Sequence, residues 1–257
     1  MSRIPIEDLK ADLKELRLKN MAEALDEAVE AAQAKQAGHL DFLASLVEIQ
    51  KTAMQKRSLD RRIKQANFPR NMSFDNFDWH FQPSLNVEQL KNLKSLGFIE
   101  KRHPLLIMGK TGCGKTHISV ALGIEACKAG FRVKFFKFQE LLLYLYTTLA
   151  DDTTHEVIAR MARLDLIIID HVGFIRSKDE YPSLLLDFVC ACQDQTALIV
   201  TTGISLAQWS TILGNNAIAA DIMDRLFHHA SVINIRQGLS YRTEGPQGLN
   251  IYDKTET

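Results

Sequence analysis

The octapeptide Gly-Lys-Thr-Gly-Cys-Gly-Lys-Thr at residues 109–116 constrains the fold of this chain more than any other segment. It matches the phosphate-binding pattern GxxxxGK[ST], and it lies between an apolar strand-like run at 105–108 and an apolar-periodic helical run at 117–129. Glycines let such a loop turn tightly enough for successive N–H groups and the helix N-terminus to face a phosphate. The pattern in this context predicts a bound nucleoside triphosphate.

The loop also predicts roles for particular side chains. Lys115 is expected to reach the β- and γ-phosphates, and the Thr116 hydroxyl to ligate the Mg²⁺ that bridges them. An apolar strand at 164–169 delivers Asp170 at its carboxyl end, where open α/β sheets bind ligands, so Asp170 is the second group expected at Mg²⁺. The predicted nucleotide-binding residues are Gly109, Lys110, Thr111, Gly112, Cys113, Gly114, Lys115, Thr116 and His117.

Strand-like and helical runs alternate from residue 105 onwards. The strand-like runs lie at 105–108, 132–138, 164–170, 197–202 and 231–236. This alternation predicts an α/β fold, with a mainly parallel five-stranded sheet and helices on both faces, over residues 105–243. Residues 1–68 are predicted to form a small all-helical domain, 69–104 an aromatic connector with a short helix at 87–96, and 244–257 a flexible tail.

Composition narrows the class of protein. The 257 residues are 46% hydrophobic, enough for one α/β core and a smaller appendage. No apolar run approaches the ~20 residues that span a bilayer, and the N-terminus lacks the apolar core of a signal peptide, so we expect a cytoplasmic protein without a membrane partner. The four cysteines lack CxxC spacing, which indicates reduced, mostly buried thiols rather than a metal site.

Positive charge is concentrated in one segment although the chain as a whole is neutral. The sequence has 31 Lys and Arg residues and 31 Asp and Glu residues, which argues against a protein coated in positive charge. On a continuous helix Arg57, Arg61 and Lys64 stand at i, i+4 and i+7, and this face could follow the phosphates of a nucleic acid. A solvated helix face explains the same spacing and is, from spacing alone, the better explanation.

Segments spread over residues 5–243 resemble the IstB family, helper ATPases of insertion-sequence transposition. They are Leu16-Arg17-Leu18, Met21-Ala22-Glu23-Ala24-Leu25, Arg61-Arg62, Ala66-Asn67-Phe68-Pro69, Phe98-Ile99-Glu100, Gly114-Lys115-Thr116-His117, Asp170, Trp209, Asp224-Arg225-Leu226-Phe227-His228-His229-Ala230 and Ser240-Tyr241-Arg242. The resemblance implies an AAA+ fold related to the helicase loader DnaC and the initiator DnaA, with ATP and Mg²⁺ as cofactors. It further implies ATP-dependent assembly on double-stranded DNA, distortion of that DNA, and recruitment or stimulation of a transposase.

The resemblance also implies roles for individual arginines. Arg225 matches the position at which AAA+ proteins carry an arginine that contacts the ATP bound to a neighbouring subunit. This implies a homo-oligomer with ATP at its interfaces. A helix-surface arginine paired with Asp221 or Asp224 is the alternative. Arg242 resembles a second sensor of the nucleotide or a DNA-proximal arginine. For the basic segment, the resemblance favours contacts with DNA, made by Arg57, Arg61, Arg62 and Lys64.

Four positions depart from the family pattern. Lys110 and Cys113 replace the usual residues of the loop but keep its glycine geometry, so nucleotide binding is expected to be kept. His171 stands where most hydrolytic relatives carry a glutamate that activates water, and Gly203 stands where a polar sensor would contact the γ-phosphate. A neutral imidazole accepts a proton but brings no negative charge. We therefore expect an AAA+ ATPase with slow turnover, unless Asp179 or Glu180 supplies the carboxylate; the alternative for His171 is a tolerated replacement at the sheet edge.

Two other functions use the same nucleotide site. A DnaC-like helicase loader would act on a replicative helicase and single-stranded DNA, but the predicted helical domain fits the transposition helpers better. A small-molecule phosphotransferase would need an arginine-bearing lid, which is not evident at 140–163. His228-His229 and Trp209 lie on apolar-flanked helical stretches, which indicates packing or subunit contact rather than metal or base binding.

Overall fold

The computed structural model describes residues 5–79, 82, 85, 87–173, 178–235, 240 and 241. The chain divides into two compact units, Met1–Arg61 and Arg62–Thr257. Arg242 and the tail expected at 244–257 lie outside the described residues. In the part of the chain that is described, no helix combines the length and apolarity needed to cross a bilayer.

The first unit is helical. It contains α1 (Ile6–Glu15), α2 (Lys19–Lys35) and most of α3 (His39–Ala66). Its small core is formed by Met21, Leu25 and Leu46. The buried Gln50 side chain on α3 accepts hydrogen bonds from the backbone N–H groups of Asn20 (3.1 Å) and Met21 (3.3 Å). Because the first N–H groups of a helix lack intrahelical partners, these bonds fasten the start of α2 to α3.

The second unit contains a five-stranded sheet. The strands are β1 (Leu105–Gly109), β2 (Val133–Lys137), β3 (Leu166–Val172), β4 (Ala197–Thr202) and β5 (Ser231–Ile235). They pair in the order β2-β3-β4-β1-β5, and the described pairings are all parallel. This sheet confirms the predicted fold class. All six residues of β4 are buried, as expected of a strand covered on both faces.

Helices connect the strands. Before β1 lie α4 (Val87–Lys94) and α5 (Gly97–Glu100); α6 (Lys115–Lys128) follows β1; α7 (Phe138–Thr147) and α8 (Thr154–Met161) lie between β2 and β3; α9 (Tyr181–Cys192) precedes β4; α10 (Trp209–Leu213) and α11 (Asn216–Phe227) precede β5. Since the strands run parallel, their carboxyl ends meet at one edge. The neighbouring strands β3, β4 and β1 therefore bring Asp170, the end of β4 and the phosphate loop together.

Close packing of α6 against the sheet depends on Gly123. A Cβ atom at this position would lie 2.8 Å from Ile168 Cδ1 and 2.8 Å from Phe68 Cε1. We expect Gly123→Ala to destabilise the protein by about 1 kcal/mol, because overpacking costs ~1–3 kcal/mol and the gain in helix propensity returns only ~0.5–1 kcal/mol. Denaturant unfolding measures the change. Gly97→Ala is the control, since its Cβ would meet nothing closer than Ser95 Oγ at 3.8 Å; a stabilised Gly123→Ala variant would show that α6 packs more loosely.

Candidate nucleotide-binding site

The loop between β1 and α6 uses glycine where the backbone or the packing requires it. Gly112 (φ 83°) and Gly114 (φ 93°) are left-handed, and Gly114 is the N-cap residue that precedes α6. Gly109 also has a positive φ (156°), and packing requires glycine there as well, because a Cβ atom would lie 2.7 Å from the buried Cys113 Sγ. The loop thus wraps around the N-terminus of α6, where backbone N–H groups favour an anion.

Lys115 lies inside this loop with only 8% of its surface exposed. Its Nζ atom donates hydrogen bonds to the carbonyl oxygens of Gly109 and Lys110, each at 2.7 Å. A buried ammonium group must be paired, and here the loop itself provides the acceptors. The charge is therefore held at the place where the phosphates of a bound nucleotide are expected.

Thr116 and Asp170 lie side by side at the start of α6. The Thr116 hydroxyl is 3.0 Å from each carboxylate oxygen of Asp170, and Asp170 is only 6% exposed. The Thr201 hydroxyl also donates to Asp170 Oδ1, at 2.6 Å. Hydroxyl and carboxylate oxygens are the hard ligands that Mg²⁺ prefers, and these adjoin the phosphate loop. The residues present therefore fit a nucleotide-associated Mg²⁺.

The backbone of β3 is irregular next to this carboxylate. The strand continues past Asp170 to Val172, but its register against β4 shifts between Ile169 and Val172, and His171 is left-handed (φ 64°). Histidine tolerates this conformation better than most residues. The His171 N–H donates to Thr201 Oγ1 at 2.8 Å, which links the bulge to Asp170 through one hydroxyl.

Thr201 was missing from the predicted site residues, although it accepts from the His171 backbone and donates to Asp170. The available signal was its place near the carboxyl end of an apolar strand. Gly203 lies close by: a Cβ atom on it would lie 4.0 Å from Lys115 Nζ. The position at which a polar sensor is expected therefore adjoins the phosphate loop.

The aromatic connector forms one wall of a cleft of about 440 Å³ above the loop. Phe77 is buried there; its Cε2 atom would lie 3.1 Å from a Cβ on Gly114, and its ring packs edge-on against His117, with centroids 5.0 Å apart. His117 Nε2 lies 2.8 Å from the Ser73 carbonyl oxygen, so this nitrogen carries the proton and donates. His117 thus fastens the connector to α6. Sequence reasoning missed this wall, although the density of aromatic residues marked the segment.

Ser240 and Tyr241, which follow β5 in the chain, also contact the loop. The Tyr241 N–H donates to the Gly112 carbonyl oxygen at 3.0 Å, and Ser240 Oγ occupies the position that a Cβ on Gly112 would take. Tyr241 lines the cleft together with His171 and Gly203. Arg242, expected to sense the nucleotide, is the next residue and lies outside the described residues.

The basic residues of α3 fall into two groups. Arg57, Arg61 and Lys64 are exposed, and Arg57 Nη2 donates to Asn20 Oδ1 at 2.8 Å. Arg62 is half-buried instead, and its Nε donates to the Cys127 carbonyl oxygen at 2.8 Å, near the end of α6. Burial raises the pKa of the Cys127 thiol to about 11, against the lowering effect of the Arg62 charge. Arg62 is thus engaged by α6, and Cys127 is a neutral, buried thiol.

Arg225 lies near the end of α11, at the edge of the sheet opposite the phosphate loop. Its Nε donates to Asp221 Oδ1 at 3.1 Å and its Nη1 to Gln193 Oε1 at 2.9 Å. The pairing with Asp221 that the sequence left as an alternative is therefore present. α11 leads into Ser231, which pairs with Leu105 at the start of β1, whereas the loop follows the end of β1. The length of β1, roughly 13 Å at ~3.3 Å per residue, separates the two edges.

This sheet order, with a phosphate loop after β1 and a carboxylate on β3, defines a P-loop protein of the AAA+ class. Two solved structures share the fold at 19% sequence identity and a TM-score of 0.53 each. The match to the crystal structure of DnaI covers 64% of this chain and 90% of the DnaI chain. The match to AMPPCP-bound DnaA from Aquifex aeolicus covers 65% of this chain and 51% of the DnaA chain.

The chain belongs to the IstB-like ATP binding protein family, whose model matches residues 11–247. An ATP-binding protein of insertion sequence IS21 from Pseudomonas aeruginosa is 26% identical over 97% of this chain and 94% of its own length. An ATP-binding protein of insertion sequence IS232 from Bacillus thuringiensis subsp. berliner is 28% identical over 92% of this chain and 94% of its own length. These matches confirm the resemblance inferred from the sequence.

Proposed function

We propose that this chain is a helper ATPase of transposition, whose copies assemble with ATP on duplex DNA, distort it, and recruit or stimulate a transposase. Its relatives are ATP-binding proteins of insertion sequences. The observation that carries the proposal is the separation of Arg225 from its own phosphate loop by the length of β1. A guanidinium at that edge reaches a terminal phosphate only on a neighbouring copy.

In the proposed complex, residues of one copy hold the nucleotide and a residue of the next completes the site. The loop N–H groups and Lys115 would bind the phosphates, while Thr116 and Asp170 would hold Mg²⁺, which would offset the negative charge of the phosphates. Arg225 of the neighbouring copy brings a permanent charge to the γ-phosphate. Copies are thereby joined through nucleotide, so ATP binding rather than hydrolysis is the main switch.

We expect hydrolysis to be slow, below about one per second, because neither His171 nor Gly203 brings the polar group expected near the γ-phosphate. A His171→Glu, Gly203→Asn double variant introduces a carboxylate and an amide at these two positions. We expect it to raise kcat at least ~10-fold, in line with the ~10²–10⁴-fold contribution of general base catalysis. Phosphate release in the presence of ATP, Mg²⁺ and duplex DNA measures the change. Parental turnover of several per second that His171→Ala leaves unchanged would end the slow-turnover hypothesis.

The exposed residues Arg57, Arg61 and Lys64 on α3 are proposed to contact DNA phosphates. Replacing all three by alanine should lower the slope of log affinity against log salt by about 2–3, since each lost phosphate contact removes roughly 0.9. Duplex binding measured between 50 and 200 mM salt tests this. The matched control replaces three exposed lysines of α1 and α2 by alanine: Lys14, Lys19 and Lys35. If both triple variants show the same slope, the exposed residues of α3 do not contact DNA.

Electron microscopy of the protein with ATP, Mg²⁺ and long duplex DNA tests the function itself. We expect regular DNA-bound oligomers that form only with ATP. Assembly that requires a replicative helicase would support a DnaC-like loader instead. Phosphate transfer to a small molecule by a single copy would support a phosphotransferase.

A further inference from the structure

One hydroxyl near the carboxyl end of β4 binds two neighbouring groups of β3. Thr201 Oγ1 donates to Asp170 Oδ1 at 2.6 Å and accepts from the His171 N–H at 2.8 Å. The Thr201 side chain is fully buried, so water does not compete for either bond. A hydroxyl has a single proton, and here that proton is directed at the carboxylate while the oxygen faces the N–H. Thr201 therefore joins the Asp170 side chain to the backbone of the next residue.

The bulge in β3 explains why a side chain is needed at this point. The register of β3 against β4 shifts between Ile169 and Val172, and a bulge leaves backbone groups without their usual partners in the sheet. Two threonines of β4 supply partners instead: Thr201 accepts from the His171 N–H, and Thr202 Oγ1 donates to the Val172 carbonyl oxygen at 2.9 Å. These two bonds fix the bulge, and with it the left-handed backbone of His171, to β4.

The same hydroxyl determines which oxygen of Asp170 is available for a cation. Thr201 binds Oδ1, whereas in the part of the chain that is described Oδ2 accepts only from the Thr116 hydroxyl, at 3.0 Å. Thr116 is the other group that fits a nucleotide-associated Mg²⁺. Groups that hydrogen-bond a metal-binding carboxylate orient it, and their loss typically lowers metal affinity ~10–100-fold. Thr201 is placed to orient Asp170 in this way.

We propose that Thr201 is a positioning residue for the metal of the bound nucleotide. It holds Asp170 through Oδ1, is itself held by the bulge at His171, and thereby raises the affinity of the site for Mg²⁺. The inference rests on the proposed function, because it requires Thr116 and Asp170 to hold Mg²⁺ beside a bound triphosphate. The effect of Thr201 is on metal affinity, since its hydroxyl is engaged by β3 and makes no contact with the phosphate loop's lysine.

A purely structural role for Thr201 would give a different result. If the hydroxyl served only to satisfy buried groups of the sheet, its loss would lower stability without a specific effect on Mg²⁺. Thr196, which precedes β4, provides the matched comparison. Its side chain is also buried, and its hydroxyl donates to the Ala162 carbonyl oxygen at 2.9 Å. Because Thr196 lies at the other end of β4, the loss of its hydroxyl reports on the sheet and not on the nucleotide site.

The experiment measures the affinity of the full chain for AMPPCP by isothermal titration, once with EDTA and once with excess Mg²⁺. The quantity compared is the gain in affinity that Mg²⁺ produces. The variants are Thr201→Val, which keeps the shape of the side chain without the hydroxyl, Thr201→Ser, which keeps the hydroxyl, and Thr196→Val. Melting temperatures without nucleotide accompany each measurement.

We expect Thr201→Val to reduce the gain from Mg²⁺ about tenfold, at the lower end of the effect of losing a group that orients a metal ligand. Its affinity for AMPPCP in EDTA should stay within about threefold of the parent, because the phosphate contacts are intact. Thr201→Ser and Thr196→Val should both keep the gain to within about threefold. Rescue by serine would assign the effect to the hydroxyl.

Four results would overturn the inference while leaving the proposed function intact. The first is a Thr201→Val variant with the parental gain, and the second is an equal loss of affinity with and without Mg²⁺, which would place the damage in the phosphate loop as a whole. The third is a Thr201→Ser variant as defective as Thr201→Val. The fourth is a Thr201→Val variant that does not fold although Thr196→Val does, since the role of Thr201 would then be structural. If the parent itself gains no affinity from Mg²⁺, the metal site of the proposed function fails.

Discussion

Lys115→Ala is expected to weaken ATP binding by roughly 30- to 140-fold, since a charge-assisted hydrogen bond contributes ~2–3 kcal/mol and each 1.4 kcal/mol is tenfold. The ammonium is buried and already aimed into the loop by the carbonyl oxygens of Gly109 and Lys110. No other lysine or arginine side chain occupies this position among the described residues of the loop. Isothermal titration with ATP and Mg²⁺ measures the loss.

Lys110→Ala is the matched control for this prediction. Lys110 belongs to the same loop, but its side chain is exposed, so we expect a change in affinity below about threefold. Melting temperatures of both variants separate loss of binding from loss of structure. A folded Lys115→Ala variant that binds ATP as tightly as Lys110→Ala would remove Lys115 from the phosphate site.

Arg225→Ala is expected to leave ATP binding by a single copy unchanged and to abolish ATP-dependent assembly on DNA. The reason is geometric, because Arg225 lies at the sheet edge opposite its own loop. The hydrolysis that accompanies assembly should fall by ~10³-fold or more, the usual contribution of an arginine supplied to a γ-phosphate. Analytical sedimentation with DNA and phosphate release measure the two effects.

We expect the Arg225→Lys variant also to fail to assemble. A lysine ammonium lacks the planar guanidinium that can bind Gln193 and a phosphate at the same time. Arg163→Ala, at an exposed arginine beside β3, is the control and should behave as the parent. In the sheet, β3 is separated from β5 by β4 and β1. Assembly by Arg225→Ala at the parental protein concentration would refute the proposed role of Arg225.

The parts of the fold and site that the sequence predicted are those encoded locally. The phosphate loop, the five strands and Asp170 each follow from a short pattern of glycines or apolar residues, and the structure places them at one sheet edge. Strand ends are not encoded so locally. The third strand was predicted at 164–170, but β3 spans Leu166–Val172 and includes a bulge that is bound by Thr201 of the neighbouring strand.

The remaining features depend on contacts between residues distant in the chain. Phe77 packs against the loop and against His117, which also binds the carbonyl of Ser73, and residue spacing does not encode such contacts. Arg62 resembles its basic neighbours in sequence, yet the folded chain turns it onto the Cys127 carbonyl. Helical periodicity identifies which residues share a face, but not which of them meets another element.

The central claim is that the nucleotide-binding site of one copy is completed by Arg225 of the next copy. Mixing two defective variants tests this claim most directly. Lys115→Ala lacks a competent nucleotide site but carries Arg225, whereas Arg225→Ala carries the site but lacks the arginine. We predict that neither variant assembles on duplex DNA with ATP, and that an equal mixture recovers short assemblies, because one kind of mixed contact contains both parts. A mixture as inactive as its separate components, with both variants folded, would contradict a site shared between copies.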